Sequence, residues 1–363
     1  MLNWRDPENP LAGGAESVTL GYLSDLVRRG HEVFWLSHSF EGAPQYSEIN
    51  GIQIHRLGNL LKSRIMAPLW IKRHSPIDLV IDQHHGIPWF SPIWSKNNSI
   101  SFIHEVLGPI WNTFFPFPIA FLGTLQEKLT IYLYRNHLFW TSCLSTEKQL
   151  IKLGVLSVTR IPYGVDISPL TILPDKNIDK PVKLVMISRL APNKRIDHGL
   201  KALRILLDKG VDANLTIVGS GQMHDSLKKL ALEYGLEDFC LFTGRVSDEG
   251  KQKILSDAHL LLHSSVREGW GLNVIEANAY GTPAVVYPVP GLIDSTVDNV
   301  TGYVTSDESP QALADKIIEI TENPVDYALI RTNAWTSSQS YLWEKVLNIS
   351  SPFLENCLKQ LNH

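Results

Sequence analysis

The sequence predicts an α/β protein made of two Rossmann-like domains, each built on a parallel sheet, with a ligand-binding cleft between them. Three observations lead to this fold class. Short apolar runs alternate with stretches of helical periodicity along both halves of the chain. A polar, proline-bearing stretch without periodicity, residues 163–181, separates the halves and has the composition of a linker. The length of 363 residues suits about two domains.

In the first half, helical spacing predicts a helix over residues 15–29, which Gly30 ends. The chain leaves room before it for a strand of only about two or three residues, unless the natural start lies upstream. A second, shorter helix is expected over residues 147–153. Apolar runs predict strands over residues 31–37, 52–56, 78–82, 99–104, 139–145 and 157–162.

The second half repeats the same alternation. Strands are expected over residues 183–190, 214–219, 239–244, 259–264 and 284–289, with helical runs between them. From Asp326 onward the pattern is helical, and residues 340–347 and 353–361 carry apolar stripes that need a surface to pack on.

Composition excludes several classes of protein. The apolar fraction of 44% and charged fraction of 19% are typical of a folded, soluble chain, and a net charge of -4 argues against a nucleic-acid binder. Cys143, Cys240 and Cys357 are too few and too widely spaced for a disulfide framework or a metal site, which favours a reducing, cytoplasmic compartment. No signal peptide opens the chain and no apolar run reaches the ~20 residues of a membrane-spanning helix.

The most informative segment lies between Glu268 and Glu276. Gly269 and Gly271 leave the backbone N–H groups of a turn uncovered, and the helix that follows adds its own unpaired donors. Such donors favour anionic oxygen, while the two carboxylates are fixed acceptors for sugar hydroxyls. Two glutamates at this spacing are more often solvated surface charges. The surrounding strand–turn–helix–strand pattern favours a ligand site, because α/β proteins place ligands at such turns.

Three more strand ends carry residues suited to ligands. Arg189 and Lys194 follow the first strand of the second half and offer charges for a diphosphate, although basic residues here are usually only solvated. Gly219 begins a glycine turn after the next strand. Arg245 and Val246 follow a third strand, where their backbone groups are placed for a nucleobase edge.

Taken jointly and in order, these motifs resemble the retaining family-4 glycosyltransferases of the GT-B fold. The resemblance covers nearly the whole chain and rests on residues 10–16, 161–166, 189–194, 219–221, 244–246, 268–276 and 299–302. It implies an N-terminal acceptor-binding domain of residues 1–167, completed by a crossover helix in residues 340–363. Residues 168–339 would form the donor-binding domain. Two positions depart from the family pattern: Tyr163 stands where Asn is common, and Trp270 where Phe is common.

The resemblance also implies a role for each candidate residue. Arg189 and Lys194 would bind and stabilise the departing diphosphate, Glu268 would hold hydroxyls of the donor sugar, and His104 would contact its 6-hydroxyl. Glu16 would reach the acceptor or the base, and Glu276 would accept from both ribose hydroxyls. The remaining nucleotide-sugar contacts would come from Gly13, Gly14, Gly219, Arg245, Val246, Gly269, Trp270, Gly271, Leu272 and Asn273.

The implied reaction is transfer of a hexose from a nucleotide diphosphate sugar to a glycan or lipid-linked acceptor. UDP-glucose is the expected donor and GDP-mannose its competitor, and a non-catalytic nucleotide-sugar-binding protein is the alternative of another class. No carboxylate in the motifs is an obvious nucleophile, which favours front-face attack within an ion pair. No Asp-x-Asp motif occurs, so neither a metal nor another cofactor is expected.

The acceptor side carries a basic stretch. Between residues 56 and 73 every charged residue is basic, and residues 111–121 are rich in aromatics. This pattern suits peripheral contact with an anionic membrane on the inner face of the plasma membrane, consistent with envelope polysaccharide or glycolipid assembly. The alternative is a covered helix beside an ordinary acceptor groove. The basic residues are Arg56, Lys62, Arg64, Lys72 and Arg73.

Overall fold

The computed structural model describes residues 1–83, 86–95 and 98–361, and the chain divides into two compact units. Unit 1 comprises Met1–Gly164 and Trp343–His363, and unit 2 comprises Val165–Leu342. Each unit is an α/β body built on a largely or wholly parallel sheet. The predicted α/β class with Rossmann-like parallel sheets is therefore confirmed.

Unit 1 alternates strands and helices, with a short 3₁₀ turn at Gly108–Ile110. Its elements, in order, are α1 (Gly14–Arg28), β1 (Val33–Ser37), β2 (Tyr46–Ile49), β3 (Ile52–Arg56), α2 (Leu60–Arg73), β4 (Val80–Gln83), α3 (Ser91–Trp94), β5 (Ser99–Phe102), α4 (Trp111–Phe114), α5 (Ile119–Tyr134), β6 (Leu138–Thr141), α6 (Leu144–Lys152) and β7 (Ser157–Arg160).

The strands of unit 1 form two groups, β2-β3-β1 and β4-β5-β6-β7. Leu2 lies between the groups and bridges in parallel to Leu36 of β1 and Asp82 of β4, so the short first strand links them. Strand β2 departs from the prediction because it pairs antiparallel with β3. Its sequence Tyr-Ser-Glu-Ile has no apolar run, since the strand is a largely exposed edge, and periodicity therefore missed it.

Unit 2 repeats the alternation, with 3₁₀ turns at Pro192–Lys194 and Gln339–Tyr341. Its elements are β8 (Val182–Ile187), α7 (Ile196–Asp208), β9 (Ala213–Val218), α8 (His224–Glu233), β10 (Cys240–Gly244), α9 (Asp248–Asp257), β11 (Leu260–His263), α10 (Leu272–Ala279), β12 (Ala284–Val286), α11 (Leu292–Ser295), β13 (Gly302–Val304), α12 (Pro310–Glu322) and α13 (Pro324–Ser338). The six strands are all parallel and follow the order β10-β9-β8-β11-β12-β13.

The last helix, α14 (Trp343–Leu361), belongs to unit 1. The Trp343 ring meets Tyr22 edge-on at 5.2 Å and packs where a Cβ on Gly21 would stand, which explains the glycine in α1. Farther along, Ser351 Oγ donates to Asp25 Oδ2 at 2.6 Å. The apolar stripe of the C-terminal segment thus finds its surface on α1.

Two further expectations concern the whole chain. The three cysteines, all within the described residues, form no disulfide. Over residues 1–83, 86–95 and 98–361, no helix combines the length and hydropathy needed to span a bilayer.

Candidate functional site

Four of the predicted ligand-binding turns lie at one edge of the unit 2 sheet. Because the strands are parallel, the turns after β10, β9, β8 and β11 all leave from carboxyl ends, in that spatial order. The strand order reverses at β8, which pairs with β9 on one side and β11 on the other. Open parallel sheets leave a ligand-binding crevice at such a switch point. The turns that carry Lys194 and Glu268 lie on either side of it.

Lys194 and Glu268 meet at this crevice. Lys194 Nζ donates to Glu268 Oε1 in a short charged hydrogen bond. The same oxygen accepts from Ser265 Oγ at 2.9 Å and lies 3.5 Å from His263 Nε2. His263 is the last residue of β11 and is only 5% exposed, so its ring supports the carboxylate from the core.

The surroundings keep Glu268 ionised and His263 neutral. Burial raises the pKa of Glu268, but the Lys194 ammonium, the His263 ring and two hydrogen bonds bring that pKa below its ordinary value. Burial lowers the pKa of His263 to about 4; Glu268 opposes this shift and Lys194 adds to it. Near neutral pH the crevice therefore holds a carboxylate, an ammonium and an uncharged imidazole.

The two turns are tied together through their backbones. Ser264 Oγ lies within hydrogen-bond distance of the carbonyl oxygens of Lys194 at 3.1 Å and Arg195 at 2.9 Å. The N–H of Val266 donates to the carbonyl of Asn193 at 2.9 Å. The relative positions of Lys194 and Glu268 are thus fixed by the main chain as well as by their ion pair.

A glycine packs against the backbone of Glu268. A Cβ on Gly291, whose φ is +83°, would lie 2.1 Å from the Glu268 carbonyl oxygen. Gly271 precedes α10 as its N-cap with φ +81°, a conformation that favours glycine. Between them, Trp270 is buried and its ring lies 5.7 Å from that of Tyr341.

The start of α10 directs backbone donors toward the crevice. Leu272 and Asn273 belong to its first turn, where N–H groups have no acceptor within the helix. Asn273 Nδ2 donates to the carbonyl of Ile187, the last residue of β8, at 2.9 Å. The helix start, with Gly269 just before it, is thereby joined to the strand end beside it.

Glu276 lies within α10 and is also paired with a lysine. Lys251 Nζ, on α9, donates to Glu276 Oε1 at 2.9 Å, and both side chains are largely buried. Each of the two predicted donor-binding carboxylates therefore has a lysine as counter-ion.

The other predicted residues of unit 2 surround this pair. Arg189 is exposed and, within the described residues, its guanidinium forms no ion pair. A Cβ on Gly219 would lie 1.9 Å from the carbonyl oxygen of Ser188, so only glycine fits there. Arg245 is exposed and donates through Nε to Ser220 Oγ at 3.1 Å, while Val246 is half-buried.

In unit 1 the predicted glycine turn opens α1. The N–H of Gly13 donates to Glu16 Oε2 at 2.7 Å, and Gly14 is the first helical residue. A Cβ on Gly13 would meet nothing within 4 Å, so the main chain there is open to approach. Glu16 is 4% exposed, and one of its carboxylate oxygens is already used to cap its own helix.

His104 follows β5 and joins a buried chain of side chains. Its Nε2 lies 2.6 Å from Gln83 Nε2, and its Nδ1 makes a short contact with the Tyr163 hydroxyl. Gln83 Oε1 accepts from Thr19 Oγ1 at 2.9 Å. If the Gln83 amide donates to Nε2, the imidazole carries its proton on Nδ1, facing Tyr163. Burial raises the pKa of Tyr163 well above its usual value, so the phenol stays neutral.

Sequence reasoning missed four contacts of the predicted residues. His263 resembles His104, because both follow a buried run at the end of a strand, and this signal could have identified it. Lys251 and Tyr163 gave no such signal, since each reaches its partner only through tertiary structure. Ser265 lies three residues before Glu268, but no motif marks a single serine as its partner.

The basic stretch in unit 1 is smaller than predicted. Arg56 is buried in an ion pair with Asp6 at 2.8 Å, so it is not a surface charge. Arg64 is partly buried, donates to the carbonyls of Ile87 at 2.8 Å and Pro88 at 3.2 Å, and lies over a tryptophan ring. The expectation that Arg56 and Arg64 are surface charges was wrong, because the groups they bind are distant in sequence. Lys62, Lys72 and Arg73 remain exposed.

Comparison with known proteins gives this geometry a context. The family model described as glycosyl transferases group 1 matches residues 171–336, which lie within unit 2. A GDP-mannose-dependent phosphatidylinositol dimannoside mannosyltransferase of Mycobacterium tuberculosis is 27% identical over 204 residues, which are 53% of this chain and 51% of the relative. HepE of Anabaena, solved with UDP and glucose, superposes with a TM-score of 0.72 at 17% identity, covering 98% of this chain and 99% of HepE.

One relative covers nearly the whole sequence. An uncharacterized glycosyltransferase of Haemophilus influenzae is 30% identical over 356 residues, which are 93% of this chain and 94% of the relative. The match extends through both units, beyond the residues that the family model covers. The chain belongs to the group 1 glycosyltransferases.

Proposed function

We propose that the protein transfers a hexose from a nucleotide diphosphate sugar, with UDP-glucose favoured, to a glycan or lipid-linked acceptor, as a retaining enzyme of family 4. The observation that carries the proposal is the meeting of Lys194 and Glu268 at the switch point of the unit 2 sheet. A cation for phosphate and a carboxylate for hydroxyls lie side by side there, next to the helix start of α10.

Within unit 2, each residue takes a role that its chemistry suits. Lys194 and the exposed Arg189 bind the diphosphate, together with backbone donors of Gly219 and of residues 269–273. Glu268 accepts hydroxyls of the sugar, and Glu276 accepts those of the ribose through the oxygen that Lys251 does not bind. Backbone groups of residues 245 and 246 contact the base.

Unit 1 supplies the acceptor side under this proposal. The open main chain at Gly13 and Gly14 approaches the diphosphate, and His104 contacts the 6-hydroxyl of the sugar when that hydroxyl displaces one of the two partners of its ring nitrogens. A proton on Nδ1 would leave Nε2 facing Gln83, so Tyr163 and Gln83 together set the orientation of the ring. Glu16 contributes to acceptor binding with its second oxygen.

The proposed reaction proceeds by front-face attack. The bond between C1 of the sugar and the diphosphate oxygen breaks, and its electron pair leaves with the diphosphate. Arg189 and Lys194 stabilise the charge that develops there, so their effect is larger in the transition state than in the ground state. The acceptor hydroxyl bonds to C1 on the same face, and its proton passes to a diphosphate oxygen. No metal takes part in this scheme.

UDP-glucose is favoured because HepE, which shares the fold, was solved with UDP-glucose. GDP-mannose is the second candidate, because the Mycobacterium tuberculosis relative uses it. A non-catalytic nucleotide-sugar-binding protein is a weaker candidate, since Lys194 and Glu268 are both present and paired.

The acceptor is proposed to reside at the inner face of the plasma membrane, in envelope polysaccharide or glycolipid assembly. Exposed Lys62, Lys72 and Arg73 on α2 support peripheral contact with anionic lipid. Charge reversal at these three positions should abolish binding to vesicles that contain phosphatidylglycerol; unchanged binding would remove α2 from the proposal.

The donor assignment is tested with UDP-glucose, GDP-mannose and related nucleotide sugars in thermal-shift and transfer assays. Ligand binding stabilises the fold by mass action, so the preferred donor should raise Tm most. Lys194→Ala should lower kcat at least a hundredfold. Lys183→Ala is the matched control, because Lys183 lies near the start of β8, the strand that leads to the Lys194 turn, and pairs with Asp257 at 2.7 Å, away from the carboxyl edge.

Four results would contradict parts of the proposal. If only GDP-mannose raises Tm, the donor is GDP-mannose and not UDP-glucose. Binding without transfer to any acceptor would favour a non-catalytic nucleotide-sugar-binding protein. Activity lost to a chelator and restored by Mn²⁺ or Mg²⁺ would overturn metal independence. An inverted anomeric configuration in the product, read by NMR, would exclude front-face attack.

A further inference from the structure

Helix α5 is unusual because its solvent side is as apolar as its buried side. Its buried side includes Glu127 and Thr130, and Glu127 accepts from the backbone N–H groups of Leu107 at 2.6 Å and Gly108 at 2.7 Å. Its solvent side is apolar. The α5 face consists of seven residues that are each 51–58% exposed: Ile119, Phe121, Leu122, Leu125, Leu129, Tyr132 and Leu133.

The α5 face is too continuous to be scattered surface apolarity. Its central positions follow helical spacing along a helix of 16 residues, which is roughly 24 Å long. The loop before the helix extends it, since Phe115 is 42% and Phe117 82% exposed. Contiguous apolar surface of this extent marks an interaction site on a folded protein.

The charged residues beside the α5 face indicate what kind of partner it binds. Among the described residues of α5, the only exposed charged side chain is Lys128. Helix α2 exposes Leu61 (76%) and Ile65 (68%) beside its lysines, and it carries no acidic residue. Surfaces that combine aromatic and aliphatic side chains with cations alone are typical of segments that lie in an anionic lipid interface.

The two helices are neighbours through one segment. Arg64 of α2 donates to the carbonyls of Ile87 and Pro88, and Gln126 of α5 donates to the carbonyl of Gly86 at 3.4 Å. Both helices therefore contact the same short stretch of chain, residues 86–88.

We propose that the α5 face lies flat in the interface of an anionic membrane, inserting its apolar side chains while Lys128 and the cations of α2 meet lipid headgroups. The opposite side of α5 packs inside unit 1 through Ile131 and Tyr134, so the helix lies in the membrane plane. This inference extends the membrane contact of the proposed function and is independent of the donor.

The test compares vesicle binding of two double variants of the full chain. Leu122→Asp with Leu129→Asp makes the α5 face acidic at positions that are 58% and 57% exposed. The control, Leu232→Asp with Leu329→Asp, changes two leucines of unit 2 that are each 60% exposed. With vesicles of phosphatidylcholine and phosphatidylglycerol, the α5 variant should bind at least tenfold more weakly than wild type and the control within twofold.

The outcomes separate the inference from the proposed function. Equal binding by wild type and the α5 variant would overturn the role of α5 and leave the α2 contact standing. No binding by wild type would overturn both. Sedimentation velocity tests the remaining alternative. A dimeric wild type and a monomeric α5 variant would show that the α5 face binds a second copy of the chain, which would contradict the membrane role. A far-UV circular dichroism spectrum and a Tm equal to those of wild type verify that both variants fold.

Discussion

At the scale of single residues, the candidate site is built from ion pairs that join different turns and helices. The sequence indicated Lys194, Glu268 and Glu276 because each lies at or near the end of an apolar strand or the start of a helix. It could not indicate Lys251, which lies 25 residues before Glu276 and reaches it from another helix. Likewise, Arg56 looked like a surface charge because its partner Asp6 is 50 residues away.

Lys251→Ala should weaken donor binding without slowing the chemical step. The lysine holds one oxygen of Glu276, so its loss should free the carboxylate to rotate and raise KM for the nucleotide sugar about fivefold to tenfold. The ribose contact is the same in the ground and transition states, so kcat should stay within twofold. Steady-state kinetics measures both constants.

The control for this variant is Lys209→Ala. Lys209 also pairs with a carboxylate of another helix, Asp315 at 2.7 Å, but it follows the end of α7, opposite the carboxyl edge. Its kinetics should match wild type. A Lys251 variant with lower KM, or with reduced kcat alone, would contradict the positioning role.

At the scale of elements, the parallel strands were predictable and the exceptions have physical causes. The strands of unit 2 are continuous apolar runs because both faces of the sheet are covered. Neither strand β2 nor helix α5 was predicted from the sequence. Strand β2 is an exposed edge, and many apolar residues of α5 face solvent. Periodicity reports burial, so it fails where an element is not buried in the usual sense.

Gly291→Ala should damage the donor turn more than its backbone strain alone explains. A Cβ at this position would lie 2.1 Å from the Glu268 carbonyl oxygen, so the turn must shift. Gly210→Ala is the control, because its φ of +76° carries similar strain while a Cβ there meets nothing within 4 Å.

The control variant should lose about 1–2 kcal/mol of unfolding free energy and keep its affinity for the donor. The Gly291 variant should lose more, by about 1–3 kcal/mol, and bind UDP-glucose at least tenfold more weakly. Urea titration and calorimetric binding measure the two quantities. Equal affinities in the two variants would show that the turn adapts to the added methyl group.

At the scale of the whole molecule, both units contain histidines that burial keeps neutral. Burial lowers the pKa of His38 in unit 1 and of His259 and His263 in unit 2 to about 4 in each case. The ordinary pKa of histidine is about 6.5. Between about pH 4 and pH 6.5, these histidines therefore bind protons in the unfolded chain and not in the folded one.

Stability should therefore fall as pH decreases from 6.5 toward 4. For His263, which is 5% exposed, the loss should reach about 2 kcal/mol by pH 5 relative to pH 7. The lowered pKa of Glu268 acts in the same direction, at lower pH. Urea unfolding at pH 7, 6 and 5 should show this slope, and His263→Gln should flatten it. An unchanged slope in that variant would place the dependence elsewhere; if it fails to fold, His259→Gln takes its place.

The ion pair between Lys194 and Glu268 has a thermodynamic consequence for selectivity. Lys194 and Glu268 satisfy each other's charge, so under the proposed roles a free hexose would meet a carboxylate that already has a partner. Under the proposed roles, a diphosphate draws the ammonium away and thereby releases the carboxylate for the sugar. Affinity for one half of the donor then depends on the presence of the other half, and the linkage is reciprocal. Under the proposed roles, an intact nucleotide sugar would be preferred over its fragments because its diphosphate and its sugar bind the two partners of one ion pair.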